Sequence, residues 1–600
     1  MVVSLQSFAR AQEMAIISGT VVSQSGAAMP HVSVRLQGTD YGSTTNAQGQ
    51  FVFKAPIGNY ILLVAHVGYK SYENALQLKK AGIEALKVRL QEKSSYMDEV
   101  NVVGKTVSQA LKETGFSVES VETKELQNQS IQINRLLDWT PGVRVRQEAG
   151  MGSQYNYSLN GMSGNSITFF IDGIPMAYFG SSYTINNLPV SLIKRIEVYK
   201  GVVPVDLGAD ALGGAINVVT DTKSQKFLEA SYSYGSFNTH QAVLHGHYTN
   251  PANNFTVRFS GFQTYSDNDY KVWGRGVNYA DAATGFKAVD FTKEHPATRF
   301  NDQFKTINGK ADIGFVNKKW ADQLFISLLA STQKRGIQTG QTMATVYGKL
   351  HYDEVMLMPH LSYQKANLFT KGLNLTLFSG YTKREGTTVD TAMAFYNWKA
   401  ETTPHQQGGG EISRNGQSLF TMYENSWINR INLTYSLPRN FKLGFNYLNS
   451  RTDRRGADPY ASPIRIPLIA PQYFNTQFAG MSLETRRLDD KLYLNTFLKW
   501  YDFNTTSNDL VYSMVEGAYQ ATAVPIANSS SNWGGGLAAS YKFHPHLLGK
   551  FSIEQATRLP TPTEALGNGI LVVNNPNIKP EQSLNINLGM VWGRIPVGAN

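Results

Sequence analysis

From residue 223 onward, apolar side chains recur at every second position in one segment after another. Phe255, Val257, Phe259 and Gly261 alternate with Thr256, Arg258 and Ser260. Phe441, Leu443, Phe445 and Tyr447 alternate with Lys442, Gly444 and Asn446, and Leu584, Ile586, Leu588, Met590 and Trp592 with Asn585, Asn587 and Gly589. A strand that crosses a bilayer needs about 9–11 residues with its apolar side chains on one face. Soluble sandwiches alternate in the same way, so the connections decide. Asn317-Lys318-Lys319, Pro438-Arg439-Asn440, Asp489-Asp490-Lys491 and His544-Pro545-His546 are short turns. Between them lie long polar segments at 265–303, 335–351, 396–417, 452–473, 506–529 and 558–580. Short turns at one end and long loops at the other are the asymmetry of an outer-membrane barrel. No run approaches the ~18 apolar residues of a membrane helix. The pattern predicts a mainly β chain whose residues 223–600 form about fourteen antiparallel transmembrane strands.

Composition narrows the chemistry. The chain has 600 residues, with 17% charged and 12% aromatic, which is too long for one ordinary core. It has no cysteine, which removes disulfides, thiolate metal sites and cysteine nucleophiles. The net charge of +10 is read as a scattered surface excess, because no dense Lys/Arg block occurs. Nothing points to nucleic acid. Phe8-Ala9-Arg10-Ala11 looks like the small-residue end of a secretory signal, so residues 1–14 are expected to be a signal-peptide remnant.

Residues 15–92 predict a small β-sandwich. Ile16 to Val22, Val32 to Leu36, Gln50 to Phe53, Tyr60 to Val67 and Leu86 to Leu90 read as strands separated by Gly- and Asn-bearing turns. His31 and His66 are expected at the surface or in strands. Residues 93–108 form a linker that holds Asp98, Glu99, Val100, Asn101, Val102, Val103, Gly104 and Lys105. This β-prone segment is either the first strand of the next domain or an edge offered for strand addition to a partner. Residues 109–222 read as α+β. Leu111–Thr114 and Thr123–Asp138 have helical character, and the second ends before Pro141. Asp172-Gly173 is a hairpin turn signal. Ile193 to Thr220 reads as strand, Gly-rich turn and strand, with Gly208, Gly213 and Gly214 permitting tight backbone paths.

Specific stretches carry family resemblances. Ser18-Gly19-Thr20-Val21-Val22, Thr45 to Phe51, Gly58-Asn59-Tyr60 and Val67-Gly68-Tyr69 resemble the carboxypeptidase regulatory-like domain, which implies a non-catalytic sandwich. Thr140-Pro141-Gly142-Val143, Phe170 to Pro175, Ile196 to Gly201 and Ala211 to Asn217 resemble the plug of a TonB-dependent outer-membrane receptor. The order of domains is similar to that of receptors from Bacteroidetes-type bacteria. One departure is Asn160-Gly161, where the family often has Arg-Gly, so an ion lock through that Arg is not expected. Arg558 to Glu564 and Asn575 to Glu581 also look like receptor-barrel motifs.

The resemblance implies a 22-strand barrel around the plug, so the fourteen strands make an incomplete one. An open sheet would leave unpaired edges in lipid. The polypeptide as given is therefore expected not to work as a transporter by itself. The resemblance further implies active import of a scarce solute, such as a ferric siderophore or cobalamin, with no enzymatic step and no cofactor. TonB and its inner-membrane energising complex would engage Asp98–Gly104, and outer-membrane lipids and lipopolysaccharide would surround the barrel. Asp172, Gly173, Glu197, Lys200, Gly201, Gly213 and Gly214 carry the plug motifs. Met176, Tyr178 and Tyr183 are the expected ligand contacts at the plug apex. The alternatives are a ligand-sensing receptor, with residues 15–92 relaying occupancy, and a non-functional truncated product.

Other constellations carry less. No His-Glu-x-x-His, P-loop or Gly-x-Ser-x-Gly occurs. His245 and His247 share a strand face, which suits a metal but is more often an incidental pairing. Arg451, Arg454, Arg455 and Arg465 form either a solvated loop or a basic mouth for an anionic ligand. Trp500, Tyr501 and Trp592 are expected as membrane-interface aromatics. Glu197 and Lys200 are expected to meet inward-facing barrel residues.

Overall fold

The computed structural model describes residues 14–593, apart from 25, 38, 40, 67–68, 70, 80–82, 92–105, 127–130, 209, 222–225, 406–407, 413–415, 462–467 and 517. The chain divides into two compact units, Met1–Gly104 and Lys105–Asn600.

The first unit is a sandwich of a three-stranded and a four-stranded sheet. Met14–Ser23 is the centre of the smaller sheet, antiparallel to Gln50–Pro56 and parallel to Ile83–Leu90. Its alternate residues Ala15, Ile17 and Val21 are buried against Phe51, Leu62, Val64 and Leu76. That alternation is the inward half of a pleat, and each large aliphatic side chain buried this way contributes about 1.5–3 kcal/mol. Gly42–Thr44 and Tyr72–Leu78 are further strands that the sequence reading passes over. Both are largely exposed, so hydrophobic periodicity marks them poorly.

In the second unit an inner α+β domain packs against a sheet of fourteen antiparallel strands. The helices of the inner domain are shorter than expected. α1 is Val107–Lys112 and α2 is Ile133–Asp138, with a 3-10 turn at Lys124–Leu126 ahead of α2. A capping box between Thr106 and Gln109 starts α1. The central five-stranded sheet runs in the order Ile174–Pro175, Ile167–Ile171, Gly214–Thr220, Ile193–Lys200 and Val118–Glu122. Asp172 and Gly173 both have positive φ, at 51° and 75°, as a tight hairpin turn of this hand requires.

The fourteen strands follow chain order, from Phe227–Gly235 to Glu581–Trp592. The sheet is not closed; these two strands form its edges. Outward positions are apolar and exposed: Leu584, Ile586, Leu588 and Met590 all lie open, with Leu588 at 87%. Long connections gather at one end and tight turns at the other, such as Arg439-Asn440, both with positive φ. Among the described residues no helix is long and apolar enough to cross a membrane, which does not bear on strands.

Glu197 does not reach the barrel as the sequence reading expects. It is 5% exposed and its carboxylate is satisfied within the inner domain. Oε1 accepts from Arg195 Nε at 2.8 Å, and Oε2 from Asn217 Nδ2 at 3.0 Å and Tyr199 OH at 3.2 Å. Asn217 Oδ1 then accepts from Gly173 N at 3.0 Å. Glu197 therefore ties two strands to the Asp172-Gly173 turn. Arg195, Tyr199 and Asn217, all of the inner domain, hold both carboxylate oxygens, in place of the expected barrel partners. Glu197→Ala strands the buried Arg195 guanidinium. It is expected to destabilise the inner domain by about 3 kcal/mol, read as a lower urea midpoint for protease protection of residues 107–220.

Candidate functional site

The site is the seat of the inner domain against the inward face of the sheet. Its centre is the turn between Ile193–Lys200 and Gly214–Thr220. Beyond Lys200 the chain must pass within contact distance of the wall. A Cβ on Gly201 would lie 2.8 Å from Asn587 Nδ2, and one on Gly208 would lie 2.7 Å from Asn446 Nδ2. Both glycines also have positive φ, at 73° and 64°.

The wall holds this turn by its backbone. Lys499 and Glu554, on two inward-facing strands, pair at 2.6 Å with both side chains 1% exposed. Lys499 Nζ also donates to Val203 O at 2.8 Å, and Glu554 Oε2 accepts from Val203 N at 3.3 Å. One ion pair thus meets both polar groups of one residue. Asn446 Nδ2 donates to Val205 O at 2.9 Å, while Arg430 donates to Asp206 O. Asn585 and Asn587 donate to Leu212 O at 2.8 Å and Lys200 O at 3.2 Å. Lys200 therefore meets the barrel through its carbonyl.

The lead-in after α1 is held separately. Glu113 pairs with Lys542 at 2.8 Å, and Ser540 Oγ and Lys550 Nζ donate to Glu113 O at 2.6 Å and Phe116 O at 3.0 Å. A Cβ on Gly115 would lie 2.2 Å from Ala539 N, so this segment lies flush on the wall.

On the side of the long loops, the motif Arg558–Glu564 becomes legible as geometry. Arg558 pairs with Glu564 at 2.9 Å and with Glu581 at 2.8 Å. Thr561 and Glu564 form a capping box at the start of α3, Pro562–Leu566. Burial opposes ionisation of Glu564. The Arg558 hydrogen bonds and the Thr561 N–H outweigh it and hold the carboxyl at about 2. Glu564 Oε1 also accepts from Asn165 of the inner domain at 3.0 Å, and Asp210 Oδ2 accepts from Leu559 N at 3.3 Å.

Burial lifts the Asp210 carboxyl to about 6, against hydrogen bonds from the Asp210 and Leu559 N–H groups and the charge of Arg558. The folded state thus keeps this proton between about pH 4 and 6, where the unfolded chain has lost it, so this group's contribution falls as pH rises through that window. Asp210→Asn is expected to remove that decline. Compared with the parent, the variant gains about 3 kcal/mol at most above about pH 6 and nothing near pH 4, measured as the difference in urea midpoints across the range.

The expected ligand residues separate. Tyr183 is 4% exposed, with ring centroids 5.9 Å from Phe179 and 5.6 Å from the wall residue Phe262. It belongs to the seam between domain and wall, because its ring fills the space between two other aromatics. Tyr178 is half-buried, its carbonyl accepting from Thr382 Oγ1 at 2.9 Å, and Met176 Sδ accepts from Ile185 N. Asp98–Gly104 and Arg465 lie outside the described residues.

The arginine group is not one basic mouth. Arg454 is 1% exposed, faces inward and donates to Pro562 O, whereas Arg451 and Arg455 are exposed on the other face of the strand. Tyr501, expected at the membrane interface, is 1% exposed and packs on Phe478 with Leu559 and Leu566. It occupies the inward register beside the outward Trp500. Trp592 is exposed. His245 pairs with Glu229 at 3.2 Å and His247 meets Thr249 Oγ1 at 2.8 Å. Among the described residues no group of three potential metal ligands forms.

Three family models match in order along the chain: a CarboxypepD_reg-like domain at residues 17–102, a TonB-dependent receptor plug domain at 110–215, and a TonB-dependent receptor-like β-barrel at 308–598. The chain belongs to the TonB-dependent receptor family. The inner domain is its plug and the fourteen-stranded sheet belongs to its barrel. The receptor is an outer-membrane protein, of a family of transporters and receptors rather than enzymes. It is 27% identical over 230 residues to the vitamin B12 transporter BtuB of Vibrio vulnificus (strain CMCP6), covering 38% of this chain and 36% of that protein. The structure is similar to the ferric yersiniabactin uptake receptor FyuA of Yersinia pestis, with a TM-score of 0.55 and 14% identity over 80% of this chain and 70% of that one. It is also similar to the copper transporter OprC, with a TM-score of 0.58 and 15% identity over 80% of this chain and 69% of that one.

Proposed function

We propose that the receptor takes up a scarce solute across the outer membrane, with TonB supplying the work through Asp98–Gly104. The observation that carries this reading is the seat itself. A folded plug is held against the inward face of the barrel strands by a buried ion pair on Val203 and by polar contacts at its lead-in. The outer membrane holds no ATP, so displacing such a plug requires work delivered from the periplasm. Pulling on Asp98–Gly104 loads the Glu113 contacts first, because they are the nearest wall contacts in sequence. Met176 and Tyr178 are proposed to meet the solute from the long-loop side. The proposed solute is a metal ion, a metal chelate or a corrinoid, a range supported by vitamin B12, ferric yersiniabactin and copper in the names of similar proteins.

A strain lacking the gene is expected to lose growth on one limiting source among cobalamin, ferric chelates and copper, and to regain it with the gene restored. Unimpaired growth on all of them contradicts the proposed solute range. The separately packed sandwich at Met14–Leu90 supports a second role in relaying occupancy. Removal of residues 15–92 would then abolish gene induction while uptake persists.

A further inference from the structure

Beyond the lead-in at Glu113 and Phe116, the plug's contacts with the barrel fall on two different walls. On the strands Phe441–Ala457, Leu492–Val515, Leu547–Arg558 and Glu581–Trp592, the turn Gly201–Leu212 is fixed by Asn446, Lys499, Glu554 and Asn585 to backbone groups, and Asn587 holds the carbonyl of Lys200 just before it. The ion pair at its centre is shut off from water. On the strands Phe255–Ser266 through Leu373–Asp390, the contacts are made by the plug apex. Ser181 N donates to Glu354 Oε1 at 2.7 Å, Ser182 Oγ to Asn308 Oδ1 at 2.9 Å, and the Tyr183 ring packs tilted against Phe262 at 5.6 Å between centroids.

Nearer the short turns, that second wall stands away from the plug across a cavity of about 850 Å³ that also reaches beneath the turn to Lys442 and Glu484. Arg258, Lys310, Asp312 and His360 line it. The Arg258 guanidinium lies 3.8 Å from the Phe325 ring centroid, while its Nε has no hydrogen-bond partner; Asp312 Oδ1 has none either, although Lys310 Nζ is 3.3 Å away. Buried polar atoms held ready in a cavity are an uncommon arrangement in a packed protein.

We propose that the solute leaves the receptor along this wall, on the Arg258, Lys310, Asp312 and His360 side chains, while Gly201–Leu212 stays fixed to the barrel as the plug's anchor. This deepens the transport reading and rests on it. The lead-in contacts at Glu113 and the apex contacts then have to part, and the cavity already supplies the lower half of the route. The wall offers cationic donors, an anionic acceptor and an imidazole within one stretch, which suits a polar solute carrying hydrogen-bonding groups of both signs.

The chain has no cysteine, so single introduced thiols report position cleanly. Ser362→Cys lies on the cavity wall. Ser552→Cys lies beside the anchor, where Asn587 Nδ2 meets it at 3.2 Å. Both substitutions are near-isosteric and keep the strand intact. Cells of the native strain in rich medium are treated from outside with a membrane-impermeant maleimide, with and without collapse of the proton gradient. Labelling of S362C is expected to be several-fold higher in energised cells, and that of S552C to stay unchanged. Gradient-dependent labelling of S552C, alone or together with S362C, overturns the fixed anchor and leaves transport standing. No gradient dependence at either position overturns the route, while growth of the deletion strain on the limiting solutes decides the transport reading separately.

Discussion

Replacing Lys499 by methionine is expected to unseat the plug. The Glu554 carboxylate, 1% exposed, would be left without its cation, and removing one partner of a buried pair costs about 3–5 kcal/mol. Val203 O would lose its donor in the same step. The loss is measured as a drop in the urea midpoint at which protease begins to cut residues 107–220 in detergent-solubilised receptor. The double variant Lys499→Met with Glu554→Leu separates the two contributions. It removes the stranded charge but leaves both Val203 backbone groups unmet, each worth about 1–3 kcal/mol when buried. It is therefore expected to recover part of the loss and not the whole. Full recovery would show that the pair matters only to itself and does not hold the plug.

Gly214→Ala has the other large effect, for a local reason. Gly214 has φ of 130°, a conformation essentially closed to side chains, and an added Cβ would lie 2.1 Å from Tyr199 O. Lys200 and Gly214 are partners in the register that closes the turn, so relief of the clash has to move the strand that carries Glu197. A cost of about 4 kcal/mol or more is expected, with the plug unfolded while the barrel strands persist. Gly161→Ala is the control. Gly161 has φ of 87° with nothing within 4 Å of an added Cβ, so only the backbone conformation is penalised, by about 1 kcal/mol. Equal effects at the two positions would contradict the steric account.

The strand pattern was legible because the pleat sorts side chains without regard to distant contacts. Leu443 and Met590 point outward and are exposed, while Asn446 and Ser552 point inward and are buried. Tyr501 shows the limit. Its type fits a membrane girdle, but its register aims it into the lumen, and a single residue's type does not reveal its phase. The helical pattern over Thr123–Asp138 shortened to α2 because amphipathic spacing over four positions is too brief to set a boundary. The contacts that hold the plug were not legible at all. Lys499 and Glu554 are 55 residues apart in sequence, and what they grip is the backbone of Val203, which has no side-chain signature. Glu197 was legible as a plug residue, but its partners were assigned to the wrong body. By contrast, crowding at the turn was readable from its glycines, and Gly201 and Gly208 do face barrel side chains.

Work is proposed to enter this receptor through Asp98–Gly104. Site-specific photo-crosslinking from Val102 in living cells tests it most directly. A crosslinked product containing TonB is expected, abundant in energised cells and abolished when Val100 and Val103 are replaced by proline, which removes backbone donors needed for strand addition. A receptor that is folded and present in the outer membrane, yet gives no TonB product from Val102, would contradict the account.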